Sequence, residues 1–453
     1  MSAGRERPAR AARAGWATAS VRLRPPVAMG GYAARREPAR AVHDPLEVRA
    51  LALGDPEDGA AGSGQPLILA VADLLAVDAG LVAEARRRLQ ARRPGARLWL
   101  AATHTHSGPD VGLGRLSDGP SDPEVEEAVL AAVLEAAEAA SGSLRPVRPA
   151  WVSAPAAGVG TPRDHPQEGA ELDLDLLILD PADGDTSGKP LAVFGSFPCH
   201  PTVLGESNLE ISSDLPGAFR RRLGERLDDR TWVALATGAA GDVSTRHTRR
   251  GQDFAEVERL GGLLADRALE LLPRRRPLAP GGPVAASRLR RFAPKEPPDP
   301  VLLERTESEL RARLEAARRA GRQAEARTVV TALQGVEAVR RLSDRLGSLD
   351  LEAELAAAAW GELRLAAVPG ELYHRPGDAI RRSGGRPTLL LGYANGYLGY
   401  IPEASAYGQA DYEVLTSPFG PGAAEEMVSA FRELLAALEV AAGGEHGEGG
   451  AGA

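Results

Sequence analysis

The sequence has very little cysteine and few aromatic residues. Cys199 is the single cysteine among 453 residues, and phenylalanine, tyrosine and tryptophan together make up 4% of the chain. One thiol cannot form an intrachain disulfide, and it excludes zinc sites that are built from several thiolates. Any metal ion bound within this chain must therefore use histidine, carboxylate or tyrosine ligands.

Long apolar runs are absent as well. The chain contains no stretch of roughly 18 consecutive apolar residues, the length that a membrane-spanning helix needs. The Arg- and Ala-rich residues 1–13 are not followed by the apolar core of a signal peptide. The net charge is −8 at pH 7 and the basic residues are scattered, which indicates no nucleic-acid surface. We expect a cytoplasmic protein without a transmembrane segment, and its oligomeric state stays open.

The composition that remains is that of a globular protein, with 43% hydrophobic and 26% charged residues. Short apolar runs typical of buried strands, such as residues 67–71, 174–179 and 231–235, alternate with helical patterns. The sequence therefore predicts an α/β fold of mixed β-sheets flanked by helices. We expect one domain over residues 14–442, a flexible tail at 1–13 and a disordered Gly-rich tail at 443–453.

One long segment differs from the rest of the predicted domain. Residues 300–346 are strongly charged, contain no proline after their start and have Gly321 in the middle. This pattern predicts a helical hairpin inserted in the domain, more solvated than the core. A surface projection and a lid over a site are both open interpretations.

Two histidines follow an apolar strand that contains Trp99. The segment reads Ala102-Thr-His-Thr-His-Ser-Gly-Pro109, so that His104 and His106 are one residue apart. Side chains two apart lie on the same face of a strand, which brings these two imidazoles together if the strand continues. The pair is then the start of a metal site, although two polar histidines at a strand edge explain the pattern too.

Two further candidate ligands also come directly after apolar strands. His200 lies between prolines in Phe197-Pro198-Cys199-His200-Pro201, and Glu371 closes Pro369-Gly370-Glu371. Taken singly, each is more often an ordinary loop residue. Two histidines and a glutamate are nevertheless the three protein ligands of a catalytic zinc ion with an open position.

Tyrosine is concentrated near the C-terminal end. Five of the seven tyrosines lie within residues 393–412. Such clustering indicates packing in a core or hydroxyls needed at one place, where a phenol binds a metal ion or donates to an oxyanion. The segment Gly241-Asp-Val-Ser244 also follows a strand, but it is not the G-x-S-x-G elbow of serine hydrolases, and Asp and Ser after glycine usually form turns.

Taken together, these segments make the chain resemble the neutral/alkaline non-lysosomal ceramidase family. The resemblance rests on residues 102–109, on Gly241-Asp-Val-Ser244, on Pro369-Gly-Glu371 and on Asn395-Gly-Tyr-Leu-Gly-Tyr400, followed by Tyr412. Asp44-Pro45-Leu46 and Ser213-Asp-Leu-Pro-Gly217 fit the same family order. The resemblance spans residues 18–438, and the ordered set is more specific than any single motif.

The resemblance implies a zinc-dependent amidase that splits ceramide or a related N-acyl compound into an amine and a fatty acid. It implies the fold of the ceramidase catalytic domain, Zn²⁺ as cofactor and a small N-acyl or lipid-like substrate as partner. The zinc ligands of the family map onto His104, His200, Glu371 and Tyr400. Further active-site positions map onto His106, Arg163, Ser244 and Tyr412.

The chain departs from the family pattern in a few places. The segment Thr161-Pro162-Arg163 differs from the residues that usually surround the corresponding arginine in the family. Gly399 before Tyr400 and the shortened loop after Tyr400 are further departures. We expect the protein to be a short intracellular relative without the immunoglobulin-like domain and the signal peptide of full ceramidases.

Two rival interpretations stay open. One is a serine acyl-enzyme that uses Ser244 as nucleophile and His106 as base, without metal catalysis. The other is a non-catalytic protein that keeps the metal ion for structure.

Overall fold

The structure is a computed structural model that describes residues 12–55, 65–113, 121–163, 171–182, 188–346, 349–408 and 411–444. The strands are β1 (Ala12–Ser20), β2 (Ala41–Val42), β3 (Glu47–Gly54), β4 (Leu67–Ala72), β5 (Arg97–Ala102), β6 (Arg145–Pro155), β7 (Thr161–Pro162), β8 (Asp173–Pro181), β9 (Ala192–Phe197), β10 (Glu210–Ile211), β11 (Trp232–Thr237), β12 (Val243–Ser244), β13 (Arg276–Pro277), β14 (Pro283–Phe292), β15 (Leu351–Trp360), β16 (Leu363–Ala367), β17 (Glu371–Leu372), β18 (Thr388–Leu391) and β19 (Tyr400–Ile401). The helices are α1 (Ala79–Arg92), α2 (Pro123–Gly142), α3 (Asp214–Arg226), α4 (Phe254–Leu271), α5 (Pro300–Arg319), α6 (Gln323–Leu346), α7 (His374–Arg381), α8 (Tyr412–Thr416) and α9 (Ala423–Gly444).

The larger sheet has the strand order β11-β9-β8-β6-β1-β3-β4-β5, with β13 also paired to β6. The pairs β4–β5 and β9–β11 are parallel, and the other pairs in this sheet are antiparallel. The prediction of mixed sheets flanked by helices is thus confirmed.

A second sheet, β14-β15-β16-β18, packs against one face of the first. Trp99 and Phe194 of the large sheet share a core with Trp360 and Leu365 of the small one. Helices α1–α4 cover the outer face of the large sheet, and α9 covers the outer face of the small sheet. The architecture is therefore a stack of four layers, with two sheets between layers of helices.

The middle position of the two sheets explains why their strands are apolar on both faces. All six residues of β4 are buried, because one face meets helices and the other meets the second sheet. In β15 the run Ala356–Ala359 sends alternate methyl groups into the two cores. Such small side chains allow the sheets to approach closely.

Helix α2 begins where capping chemistry predicts. The Asp122 side chain accepts from the Glu124 backbone N–H, and Pro123 takes the first helical position. Helix α3 begins at Asp214, whose φ of 51° is unusual for a residue with a side chain. Its carboxylate accepts backbone N–H groups of Val203, Leu204 and Leu215, which fixes the chain after His200.

Helix α4 was not predicted from the sequence. It contains Gly261 and Gly262, and glycine is a poor helix former. A Cβ on Gly261 would lie 2.4 Å from the Ala218 Cβ, so this glycine lets α4 pack directly on α3. Tertiary packing here offsets the low helix propensity of this glycine.

The hairpin predicted at residues 300–346 is present as α5 and α6. Gly321 lies in the turn with a φ of 68°, a conformation that favours glycine. Leu303, Leu310, Val329 and Val336 belong to the apolar seam between the two helices, and Leu415 on α8 packs on the same seam. The hairpin is therefore attached to the rest of the protein through α8.

The chain ends differ slightly from the predicted boundaries. Residues 1–11 and 445–453 lie outside the described residues, β1 begins at Ala12, and α9 continues to Gly444. β1 ends at Ser20, and its pairing with β3 and β6 sets its bounds. Among the described helices, none is both long and apolar enough to span a bilayer.

Candidate metal centre and active site

The predicted site residues lie where strands of the two main sheets end. His104 follows β5 and His200 follows β9, while Glu371 on β17 pairs in parallel with Tyr400 on β19. The loop after β18 joins these parts, because Tyr393 donates its N–H to Gly370 O and accepts one from Ala102. Segments far apart in sequence thus meet beyond the ends of strands from both sheets.

His104 and His106 meet, but not for the reason that the sequence predicted. Strand β5 ends at Ala102, and His104 has a φ of 65°, so the alternation of a strand does not extend to this pair. The turn instead brings His106 Nε2 to 3.2 Å from His104 Nε2. The prediction of neighbouring imidazoles is confirmed, and its geometric argument was wrong.

Backbone carbonyls fix how two of the imidazoles carry their protons. His104 Nδ1 lies 2.6 Å from Leu75 O, and His200 Nδ1 lies 2.6 Å from Ala240 O. A carbonyl only accepts, so each Nδ1 must carry the hydrogen, and in a neutral ring Nε2 then presents a lone pair. Burial lowers the pKa of His200 to about 3, which keeps its ring neutral at pH 7.

The lone pairs converge on the Glu371 carboxylate. Glu371 Oε2 lies 2.9 Å from His200 Nε2 and 3.3 Å from His104 Nε2. His200 Nε2 and Glu371 Oε2 are both buried, and neither makes a hydrogen bond of acceptable geometry. Burial raises the pKa of Glu371, but its interactions with His104 and His200 outweigh burial and hold that pKa well below its usual range.

Such a set of acceptors fits a divalent cation. Ligand atoms that share one tetrahedral zinc ion at about 2.0 Å from each ligand lie roughly 3.3 Å apart, close to the separations seen here. His104, His106 and His200 form a group of three buried histidines whose ligand nitrogens all lie within 4.8 Å of one another. His106, which the resemblance placed outside the ligand set, therefore also offers a nitrogen atom to this cluster.

A tyrosine that the sequence interpretation passed over orients the glutamate. Tyr397 donates its hydroxyl to Glu371 Oε1 at 2.5 Å, which leaves Oε2 facing the histidines. The Tyr393 ring stacks on His104 with centroids 4.1 Å apart. In the sequence, the clustering of tyrosines indicated a shared role, but it could not show which tyrosine contacts Glu371 and which stacks on His104. Tyr407 lies elsewhere and donates to Phe419 O.

Arg163 and Tyr400 lie together at the side of the cluster. Arg163 Nη1 is 3.5 Å from the Tyr400 hydroxyl and forms a buried ion pair with Glu413, a residue that the sequence did not single out. The Tyr400 ring lies 6.3 Å from the His200 ring and 6.0 Å from the Tyr412 ring, centroid to centroid. The role of Tyr400 as a metal ligand stays a prediction.

Ser244 lies next to the second histidine. Strand β12 pairs with β7 so that Ser244 faces Thr161, and an isolated bridge joins Ser244 to His200. Ser244 Oγ accepts the backbone N–H of Arg246 at 3.3 Å. Within the described part of the chain, no hydrogen bond joins Ser244 to His106, the pair that a serine acyl-enzyme needs.

An Asp–His pair links the two loops of the site. Asp242 accepts from His374 N at 2.7 Å and from His374 Nδ1 at 2.5 Å, and its carbonyl accepts the Arg163 N–H at 2.8 Å. Burial lowers the pKa of His374, but Asp242 outweighs burial and raises it. His374 comes three residues after Glu371, so this pair fixes the glutamate loop to the serine loop.

Solved structures identify the architecture. The crystal structure of neutral ceramidase from Pseudomonas aeruginosa matches with a TM-score of 0.72 and 19% identity, over 94% of this chain and 74% of that one. The chain has the neutral ceramidase fold. A structure described as ceramidase complexed with C2 gives the same TM-score and identity, over 95% of this chain and 75% of that one.

At the level of architecture, the match to the ceramidase fold confirms the resemblance inferred from the sequence motifs. An identity of 19% shows a shared fold and leaves activity to be argued from the site. No protein-family profile and no curated protein sequence matches the chain.

Proposed function

We propose that the protein is a zinc-dependent hydrolase of N-acyl amide bonds that acts on ceramide or a related N-acyl compound. The observation that carries the proposal is that His200 Nε2 and His104 Nε2 lie 2.9 and 3.3 Å from Glu371 Oε2, in a buried place where His200 Nε2 and Glu371 Oε2 have no hydrogen-bond partner. The neutral ceramidase fold of the chain supports the amide substrate.

The surrounding residues supply the other parts of an amidase. A zinc ion held by His104, His200 and Glu371, with Tyr400, would polarise an amide carbonyl and lower the pKa of a water molecule. His106 would orient a water molecule at the site or accept its proton, since its Nε2 lies 3.2 Å from His104 Nε2. The Tyr400 and Tyr412 hydroxyls stabilise the developing oxyanion.

Ser244 and Arg163 act on the substrate. Ser244 lies beside His200 and binds or activates near the scissile group. Arg163 is buried at the site and keeps Nε without a hydrogen-bond partner, which suits it to hold a polar head group. The Asp242–His374 pair holds the loop of Glu371 against the loop of Ser244.

Metal analysis beside an activity screen tests the proposal. We expect about one zinc ion per chain, amidase activity on N-acyl amines that chelation abolishes, and its recovery on adding zinc. His104→Ala and His200→Ala should each lose most of the metal. His43→Ala is the matched control, because His43 pairs with Asp44 and stacks on Phe254 outside the cluster.

Each rival has its own outcome. Activity that survives complete removal of the metal would assign the serine mechanism to Ser244. Bound zinc without turnover of any N-acyl compound would leave a metal-binding protein without catalysis. Full zinc retention in both histidine variants would end the ligand assignment.

A further inference from the structure

Helix α8 touches both the site and the hairpin α5–α6. Glu413 on α8 is 2% exposed and pairs with Arg163, which is 6% exposed. Tyr412, the first residue of α8, lies beside Tyr400. Whatever holds α8 therefore also sets the positions of these side chains.

Contacts from other segments hold this helix. Five residues make too few internal hydrogen bonds to be stable alone. Lys295 Nζ donates to Val414 O at 2.8 Å and to Leu415 O at 2.7 Å, where a cation also suits the C-terminal end of a helix. Ser417 Oγ donates to Tyr400 O at 2.8 Å, which ties the end of α8 to β19.

The hairpin supports the other side of α8. A Cβ on Gly335 of α6 would lie 3.2 Å from Tyr412 Cα and 3.3 Å from Leu415 Cδ1. These distances are shorter than an ordinary carbon–carbon contact of about 3.5–4.0 Å. Glycine at this position thus lets α6 rest directly on α8, and a movement of the hairpin would move α8.

The charge of Glu413 matters for Arg163. Both side chains of the Arg163–Glu413 pair are buried, and a buried guanidinium that loses its carboxylate partner is strongly destabilised. Glu413 is therefore the carboxylate that balances the buried guanidinium. The Arg163 backbone is held separately, by Asp242 O.

We propose that Glu413 is a positioning residue that orients the Arg163 guanidinium for substrate binding, and that the hairpin α5–α6 is the buttress that keeps Glu413 in place. The proposal rests on the proposed function, in which Arg163 binds the head group. It gives the hairpin a role that is neither a surface projection nor a lid.

A double-mutant cycle tests the role of Glu413. The variants are Glu413→Gln, which keeps the shape and removes the charge, Arg163→Met, and both together, assayed on an N-acyl amine substrate. We expect Glu413→Gln to lower kcat/KM about 30-fold, mainly through KM and with the zinc content unchanged, but less than about threefold when residue 163 is already Met.

An equal loss in both backgrounds would show that Glu413 acts only through the fold, and would overturn its positioning role. Glu433→Gln is the control, because Glu433 forms an exposed ion pair with Arg288 on a different face. This variant should keep the wild-type kcat/KM.

Hydrogen exchange of residues 411–417 tests the buttress without any assay of activity. Gly335→Leu should speed exchange in this segment and lower kcat/KM about tenfold. Gly262→Leu in α4 is the control, since no atom lies within 4 Å of a Cβ there. If Gly335→Leu does not fold, Gly335→Ala is measured in the same way.

The two readouts separate the proposals. A wild-type protein without amidase activity would refute the proposed function, whereas faster exchange in the Gly335 variant would still support the buttress. Unchanged exchange at residues 411–417 in a folded Gly335 variant would overturn the buttress, whatever the activity.

Discussion

At the scale of single residues, backbone carbonyls determine the chemistry of the site. Leu75 O and Ala240 O each hold an imidazole Nδ1 at 2.6 Å and so turn the Nε2 lone pairs toward Glu371. Tyr397 then takes one oxygen of that carboxylate and leaves the other for the cluster. Such outer contacts orient ligands and are as necessary as the ligands themselves.

Ser244 offers a direct test of roles at this scale. Ser244→Ala should retain zinc and lose turnover by roughly 10²–10⁴-fold, the usual effect of one catalytic group. The measurement is kcat together with the metal content of the purified variant. Unchanged kcat would leave Ser244 as a turn residue, whose Oγ only accepts the Arg246 N–H.

The lowered pKa of Lys295 leads us to predict how the stability of the protein depends on pH. Burial lowers its pKa from the ordinary value of 10.5 to about 8. Between these values the unfolded chain holds a proton that the folded protein lacks, so the stability of the wild type relative to Lys295→Met should rise with pH across this range.

Denaturant unfolding of the wild type and of Lys295→Met at two values, about pH 7.5 and about pH 9.5, measures this dependence. Lys189→Met, at a half-exposed lysine, serves as the control. A difference in unfolding free energy between wild type and Lys295→Met that is the same at both pH values would contradict the prediction.

At the scale of elements, the site depends on close approach between loops. Gly31 has a φ of 94°, and a Cβ there would lie 2.6 Å from Cγ and Nδ1 of His106. Arg35 holds the same loop in place by donating to Gly30 O and His106 O. The loop of residues 30–35 thus forms a wall against the His106 ring.

Gly31→Ala should therefore displace His106 and lower kcat/KM by at least about tenfold, beyond the backbone cost of a positive φ. Gly158→Ala is the matched control, because Gly158 has a φ of 82° but no atom within 4 Å of its Cβ. Equal kcat/KM in the two variants would show that the contact between residue 31 and His106 does not affect catalysis. Zinc content in Gly31→Ala also reports whether His106 is a ligand.

At the scale of the whole molecule, the surface bears on the substrate. The large apolar side chains that are exposed among the described residues lie on several elements; they are Val42, Leu263, Val284, Leu289, Val301, Leu302 and Val330. The net charge of −8 does not favour an anionic membrane surface. Efficient use of a membrane-bound lipid usually needs an apolar or basic amphipathic segment.

We therefore expect short-chain or soluble N-acyl compounds to be better substrates than long-chain ceramide. The measurement compares kcat/KM for a short-chain ceramide analogue, a long-chain ceramide in mixed micelles and a soluble N-acyl amine. A preference for long-chain ceramide above about tenfold, roughly 1.4 kcal/mol of transition-state stabilisation, would contradict this expectation.

The sequence by itself determined the class of fold and most of the candidate donors. Apolar runs that end in His, Glu or Ser identify strand ends, because a buried strand has a strong local signal and chemistry-bearing residues follow it. The single cysteine is enough to exclude sites built from several thiolates, whatever the fold. Local patterns also predict two helical elements. The charge pattern and Gly321 indicate the hairpin, and the capping residue Asp122 indicates the start of α2.

Only the tertiary structure decided how the donors meet. The φ of 65° at His104 and the carbonyls of Leu75 and Ala240 come from long-range packing, which no local pattern encodes. The contact of Glu413 with Arg163 joins residues 250 positions apart. Helix α4 accommodates two glycines, and one of them, Gly261, packs directly on α3. These contacts form only in the assembled fold, because each joins residues that are distant in the chain.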